Sequence, residues 1–347
     1  MTGDMTGDMT GGTSEDTTGG ASPLLRVTDL KVHFPLGGGM LGRPSGWLKA
    51  VDGISFDIRP GETLALVGES GCGKSTTGYA ALGMLRPTGG QVTLDGIDVH
   101  RATGADLATV RREVQIIFQD PFSSLNPKMR IGDSIAEPLL IHTRMTPAER
   151  RREVEHLLDR VGLRSTHYDR LPNEFSGGQR QRIVIARALA LRPKLIVCDE
   201  PVSALDVSVR SQILNLLVEL QAEFGLAYLF ISHDLSVVRH LSDRLAVMYL
   251  GHLVEQGDAG AVFDQPTHPY TEALISAIPY PDPERQAERR QIVLTGDLPN
   301  PADPPPGCPF VTRCPIARPD CADQRPALVQ VAGGDPGHTA ACFYRGR

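Results

Sequence analysis

The chain has 347 residues, enough for one large domain and a smaller companion, and its 35 basic against 41 acidic side chains give a formal charge of -6 that argues against a broad nucleic-acid or anionic-lipid surface. No apolar run reaches the roughly 20 residues that cross a bilayer, and no basic-then-apolar leader opens the chain, so a cytosolic location is expected. Six cysteines in a reducing compartment then point, where they cluster, to metal or catalysis rather than to disulfides.

Residues 1–23 repeat Thr-Gly-Asp-Met and then run through Thr, Gly, Ser and acidic residues, a composition too polar to bury a core and expected to be a disordered tail. From Leu24 the chain turns strand-rich. Val27, Leu30, Val32 and Phe34 give Arg26 to Phe34 the texture of a half-buried strand, and a Gly/Pro-rich loop is expected from Pro35 to Gly46. Thr63 to Val67 is a short buried strand, and Lys74 to Leu85 has a helical pattern.

Between them lies Gly68-Glu69-Ser70-Gly71-Cys72-Gly73-Lys74-Ser75, a Gly-rich turn from strand to helix. Gly71 and Gly73 let successive N–H groups converge on a β-phosphate, and the helix that opens near Lys74 turns its positive end to the same point. Lys74 adds a fixed charge and Ser75 a hydroxyl ligand for Mg2+. The ATP-binding set on this loop is therefore Gly68, Ser70, Gly71, Cys72, Gly73, Lys74, Ser75 and Thr76. Cys72, and Cys198 further on, are expected to be packing residues, with Cys72 open to oxidation.

Val114 to Phe118 is the next buried-strand candidate and runs into Gln119, while Ile131 to Leu171 is charged and helical with no strand signal, as an inserted helical subdomain would be. Phe175-Ser176-Gly177-Gly178-Gln179 then opens a helix running toward Leu191, a second anion-binding helix end. The apolar strand Leu195 to Cys198 ends in Asp199-Glu200, so that one carboxylate can support Mg2+ and the next deprotonate an attacking water. A helix from Val207 to Phe224 and a strand from Ala227 to Ile231 complete an alternation that predicts a doubly wound α/β sheet.

After Tyr280 the texture changes. About half of the chain's 27 prolines fall from Pro279 onward, together with Cys308, Cys314, Cys321 and Cys342, so a domain boundary is expected at 280. Five, six and twenty residues separate the four cysteines in a segment poor in apolar material, which a bound metal could staple. Zinc and an iron–sulfur cluster both accept four thiolates, the lack of Cys-x-x-Cys knuckles weakens a zinc ribbon, and His338 leaves a mixed zinc site open.

With both phosphate-binding helix ends in hand, the chain resembles the ATP-binding cassette (ABC) ATPases, whose signature Ser176-Gly177-Gly178-Gln179 matches. The resemblance covers Leu24 to about Pro279 and implies a RecA-like P-loop core with an antiparallel β subdomain and a helical subdomain near 131–171, followed by a small Cys/Pro-rich domain over 280–347. In that family two cassettes pack head to tail, each ATP lying between one P-loop and the other cassette's signature. Carried over, Glu200 is the general base, His233 the switch histidine, Gln119 the Q-loop residue near Mg2+, Asp199 the Mg2+ support and Asp206 part of the D-loop. Phe34 matches the aromatic that stacks on adenine, with Trp47 as its rival.

Gln119 to Pro127 and His268-Pro269-Tyr270-Thr271 further resemble the oligopeptide/dipeptide importer ATPases, a group that also contains nickel importers. That resemblance implies two membrane permeases, a second and commonly paralogous ATPase, an extracytoplasmic peptide-binding protein, a place on the cytoplasmic face of the membrane and a [4Fe-4S] cluster on the four C-terminal cysteines. A soluble cassette ATPase is the alternative from another class. It is disfavoured because neither a second P-loop nor sustained heptads occur.

Overall fold

A computed structural model describes residues 22–38, 44–279 and 291–346. Residues 1–21 of the tail expected over 1–23, and the domain boundary expected at 280, lie outside the described residues. The chain opens with β1 (Leu25–Gly38), β2 (Pro44–Ile58), β3 (Thr63–Val67), α1 (Lys74–Ala81), β4 (Gly89–Leu94), β5 (Ile97–Asp98), α2 (Gly104–Glu113) and β6 (Val114–Ile117). Helices α3 (Ile131–His142), α4 (Pro147–Arg160) and α5 (Gly177–Leu189) follow, then β7 (Leu195–Asp199), α6 (Val207–Phe224), β8 (Ala227–Ser232), α7 (Leu235–Leu241), β9 (Arg244–Tyr249), β10 (His252–Asp258), α8 (Ala259–Asp264) and α9 (Pro269–Ser276). The last described strands are β11 (Val329–Gln330) and β12 (Thr339–Ala340).

Two sheets organise these elements. A four-stranded antiparallel sheet has the order β2-β1-β4-β5, and an eight-stranded sheet has the order β11-β12-β10-β9-β3-β8-β7-β6. In the larger sheet β9, β3, β8, β7 and β6 are parallel, and β10, β11 and β12 extend it antiparallel. Strand β3 is buried at all five positions because its two faces serve different cores. Leu64 and Leu66 pack with the antiparallel sheet and α1, whereas Ala65 and Val67 join the core built with α3 to α6. A strand buried on both faces reads as a continuous apolar run, and it delivers the phosphate loop from its C-terminal end at the middle of the sheet.

Two boundaries differ from the sequence expectation. Pro35 to Gly38 and Pro44 to Gly46 are strand, not loop: the β1–β2 ribbon continues through Pro35 opposite Trp47 and Leu36 opposite Gly46, and Pro44 stands at the first residue of its strand, where a missing N–H costs little. Helix α1 ends at Ala81 instead of Leu85. Gly83 there takes the left-handed conformation (φ 75°), and its N–H donates back to the Ala80 carbonyl, closing the helix as a glycine terminator does.

The C-terminal segment is seated on the cassette. β12 pairs with β10 through Glu255 opposite Ala340, and Phe310, fully buried, stacks edge-on against Tyr249 at 5.2 Å and tilted against Tyr270 at 5.4 Å. The buried Glu255 carboxylate accepts hydrogen bonds from the Thr267 and His268 amides at 2.8 Å and meets His338 Nε2 at 2.7 Å. A carboxylate without exposure needs such partners, so this triangle ties β10, the start of α9 and the C-terminal strand together.

Candidate nucleotide site

The phosphate loop depends on backbone that only glycine supplies easily. Gly68, Gly71 and Gly73 have φ of 152°, 81° and 107°. A Cβ on Gly68 would stand 2.1 Å from the Met248 carbonyl oxygen, and one on Gly73 2.1 Å from that of Ala50, so both positions exclude a side chain by contact as well as by conformation. Lys74 is buried and its ammonium donates to the Gly68 and Glu69 carbonyls at 2.8 and 2.9 Å, curling the loop around its own cation. Ser70, Gly71, Gly73, Lys74, Ser75 and Thr76 line a cleft of about 580 Å³ together with Phe34, Gln119, Glu200 and His233.

Across this cleft the end of β7 supplies the carboxylates. Ser75 Oγ donates to Asp199 Oδ1 at 2.8 Å, and Tyr79 donates its hydroxyl to Asp199 Oδ2 at 2.9 Å. Burial, and then the Asp199 charge and hydrogen bond, push the Tyr79 phenol up to about 12, so it stays a donor. Glu200 has a left-handed backbone (φ 47°), a costly conformation for a non-glycine residue, pinned by its N–H donating to the Ile231 carbonyl at 3.0 Å. Its carboxylate lies between two polar groups, with Gln119 Nε2 donating at 3.1 Å and His233 Nδ1 at 2.9 Å.

The residues brought together are thus Lys74, Ser75, Asp199, Glu200, Gln119 and His233, drawn from four separate stretches of the chain. The Ser75 hydroxyl and Asp199 carboxylate form a hard oxygen pair of the kind Mg2+ selects, beside a cation-bearing anion cradle. Phe34 lines the cleft, along with Leu48 and Ala50, whereas Trp47 does not. Cys72 is a packing residue, as expected, but it is shielded from the oxidation to which it was expected to be open. Its side chain is buried in the core, burial raises its thiol pKa, and its amide donates to the Glu69 carbonyl.

Ser176, Gly177, Gly178, Gln179 and Asp206 lie away from this cleft. Ser176 Oγ accepts from the Gln179 amide at 3.3 Å, and Gln179 Oε1 accepts from the Ser176 amide at 3.0 Å, a reciprocal capping box that opens α5. A Cβ on Gly178 would meet Val209 Cγ1 at 2.4 Å, so the signature turn packs tightly on the start of α6. Ser176 and Asp206 are exposed. Sequence reasoning missed Tyr79, although its place four residues after Ser75 puts it on the same face of α1.

Cys308, Cys314, Cys321 and Cys342 line one small pocket with His268, Phe310 and Tyr344. Burial, then neighbouring thiols, push Cys308 up to about 11, and Cys314 is raised the same way. Among the described residues no three His, Cys, Asp or Glu side chains stand close enough to share a single metal ion. His338 is committed to Glu255 instead of facing this pocket.

Comparison with known proteins places this geometry. The ABC transporter family model matches residues 51–203, and that of the oligopeptide/dipeptide transporter C-terminal region matches residues 254–321. The chain is 50% identical to the oligopeptide transport ATP-binding protein AppF of Bacillus subtilis over 327 residues, 94% of this chain and 98% of that protein. It is 51% identical to OppF of Escherichia coli, the oligopeptide transport ATP-binding protein (94% and 97%), and 49% identical to the dipeptide transport ATP-binding protein DppF of Escherichia coli (92% and 94%). Among solved structures, cbiO1 of Clostridium perfringens, part of the ABC transporter complex cbiONQ, aligns with a TM-score of 0.61 at 28% identity over 71% of this chain and 92% of that one. The ATP-binding cassette MJ0796, solved as a dimer bound to ADP and Pi, aligns with a TM-score of 0.60 at 28% identity over 68% and 98%.

Proposed function

The chain belongs to the ABC transporter family as an ATP-binding subunit, an ATPase coupled to transport, and from that premise we propose that it energises a membrane importer of di- and oligopeptides. The observation that carries the reading is the convergence of Lys74, Ser75, Asp199, Glu200, Gln119 and His233 on one cleft, in a chain about half identical over nearly its whole length to oligopeptide and dipeptide transport ATP-binding proteins.

In this reading the loop amides and Lys74 hold the β- and γ-phosphates of ATP, and Phe34 stacks on adenine. Bound Mg2+ would neutralise phosphate charge and be held by Ser75 and Asp199, with Gln119 at its edge. Glu200 accepts the proton of the attacking water. Gln119 and His233, each against one carboxylate oxygen, fix the direction of that base. Ser176 to Gln179 and Asp206 serve the nucleotide of a second cassette, since they lie outside their own cleft.

The partners proposed are two membrane permeases, a second ATPase that is a paralogue or another copy, and an extracytoplasmic peptide-binding protein. The chain sits on the cytoplasmic face of the membrane, and no described helix is long and apolar enough to cross one. Cys308, Cys314, Cys321 and Cys342 would hold a [4Fe-4S] cluster. What supports this reading is that all four cysteines line one pocket, three of them buried and Cys314 half-buried, in a segment poor in apolar material. Iron and acid-labile sulfide should both be found after anaerobic purification, and an iron-free protein would refute it. Co-purification with permease subunits whose peptide-binding protein stimulates ATP hydrolysis tests the transport role. A chain that hydrolyses ATP at full rate alone and binds no membrane subunit contradicts it.

A further inference from the structure

Glu69 is the second residue of the phosphate loop, directly before Ser70 of the cleft, and its carboxylate would repel a triphosphate. The fold has met that charge from far along the chain. Arg313 donates to Glu69 through both guanidinium nitrogens, Nη1 to Oε2 at 2.7 Å and Nη2 to Oε1 at 3.0 Å. The side chain of Arg313 is only 10% exposed and that of Glu69 29%, so the pair is shielded far better than a surface ion pair.

The other end of Glu69 is also held. Its backbone N–H donates to the Tyr270 hydroxyl at 2.9 Å, and Tyr270 belongs to the His268-Pro269-Tyr270-Thr271 stretch. Tyr270 in turn packs on Tyr249 at 4.7 Å and on Phe310 at 5.4 Å, and Phe310 accepts the Arg313 N–H on its carbonyl at 3.0 Å. The turn that carries Arg313 is bracketed by Cys308 and Cys314 and anchored by the Cys308 N–H on the Cys321 carbonyl at 2.8 Å. Carboxylate and amide of one phosphate-loop residue are therefore both fastened to the C-terminal part of the chain.

We propose that Arg313 is a positioning residue for nucleotide binding: it neutralises Glu69 and turns it away from the phosphates, so that the cysteine-bearing segment sets the affinity of the phosphate loop for ATP. The proposal rests on the reading of Gly68 to Ser75 as the ATP site. A guanidinium that is planar and forked is suited to this, since it fixes the direction of the carboxylate as well as its charge.

The experiment is nucleotide binding to the full-length chain, read by calorimetry with Mg-ATP and Mg-ADP. Arg313→Ala should weaken Mg-ATP about tenfold and Mg-ADP less, because the exposed Glu69 charge acts on fewer phosphate charges. Glu69→Gln should move the other way and tighten Mg-ATP, and adding it to Arg313→Ala should restore binding to within about threefold of wild type. Opposite signs for the two single variants cannot come from a merely structural role, which would weaken both. The proposal is overturned if Arg313→Ala binds like wild type, if Glu69→Gln fails to relieve its loss, or if Glu69→Gln alone binds more weakly than wild type. That last measurement decides the matter even if Arg313→Ala does not fold. Lys74→Ala separates the premise: wild-type affinity in that variant would sink the ATP-site reading itself.

Discussion

At the scale of single residues, the proposed chemistry depends on what holds Glu200. Its strained backbone and its two flanking partners give one carboxylate one direction, which is what a base acting on a placed water requires. Glu200→Gln is isosteric and keeps one acceptor oxygen for these partners, but it turns the other into an NH2 donor and loses the base. It should bind Mg-ATP as wild type does and lower turnover of the assembled complex by about a hundred- to ten-thousand-fold. His252 makes a separate prediction. Burial first, and then Arg325, hold its pKa down to about 4 against the pull of Asp52, so the folded protein keeps it neutral where the unfolded chain protonates it near 6.5. The unfolded state then binds more protons between those values, and stability falls as pH drops from about 6.5 toward 4, by up to roughly 3 kcal/mol from this residue. Melting temperatures at pH 7 and 5 should show a shallower acid loss in His252→Gln than in wild type.

The candidate residues were legible because each follows a short apolar run that is plain in the sequence: Lys74 across the Gly-rich turn after Thr63 to Val67, Glu200 after Leu195 to Cys198, His233 after Ala227 to Ile231. The Glu69–Arg313 pair was not, since nothing local marks two residues 244 positions apart as partners.

At the scale of elements, the proposal gives the signature helix two tasks on the same atoms. Ser176 caps α5 through the Gln179 amide, and in the proposed assembly the same exposed helix end meets a phosphate of the other cassette. Ser176→Ala should cost about 1 kcal/mol of stability as a lost cap. It should also leave Mg-ATP binding to the isolated chain unchanged while lowering hydrolysis in the assembled complex, and equal effects on both readouts would place the serine in its own chain's site instead. The extended β1–β2 ribbon shows where element reading fell short. Gly and Pro mark a turn by conformational preference, but cross-strand pairing along a ribbon carries the strand past them.

At the scale of the whole molecule, the texture change after Pro279 is real in composition, yet the segment it introduces shares a sheet and a core with the cassette through β12 and Phe310. Composition reports what a segment is made of and not what it packs against. At this scale too, the cleft is lined by the phosphate loop with Glu200, Gln119 and His233 while the exposed signature end is not part of its lining, and the proposed working site takes two cassettes joined to a membrane pore. The most direct measurement is ATP-driven uptake of a labelled di- or oligopeptide into proteoliposomes carrying the reconstituted complex. Uptake that is present with the wild-type chain, abolished by Glu200→Gln and accompanied by hydrolysis far above that of the isolated chain is the predicted result; full hydrolysis by the isolated chain, with peptide uptake indifferent to Glu200→Gln, would contradict it.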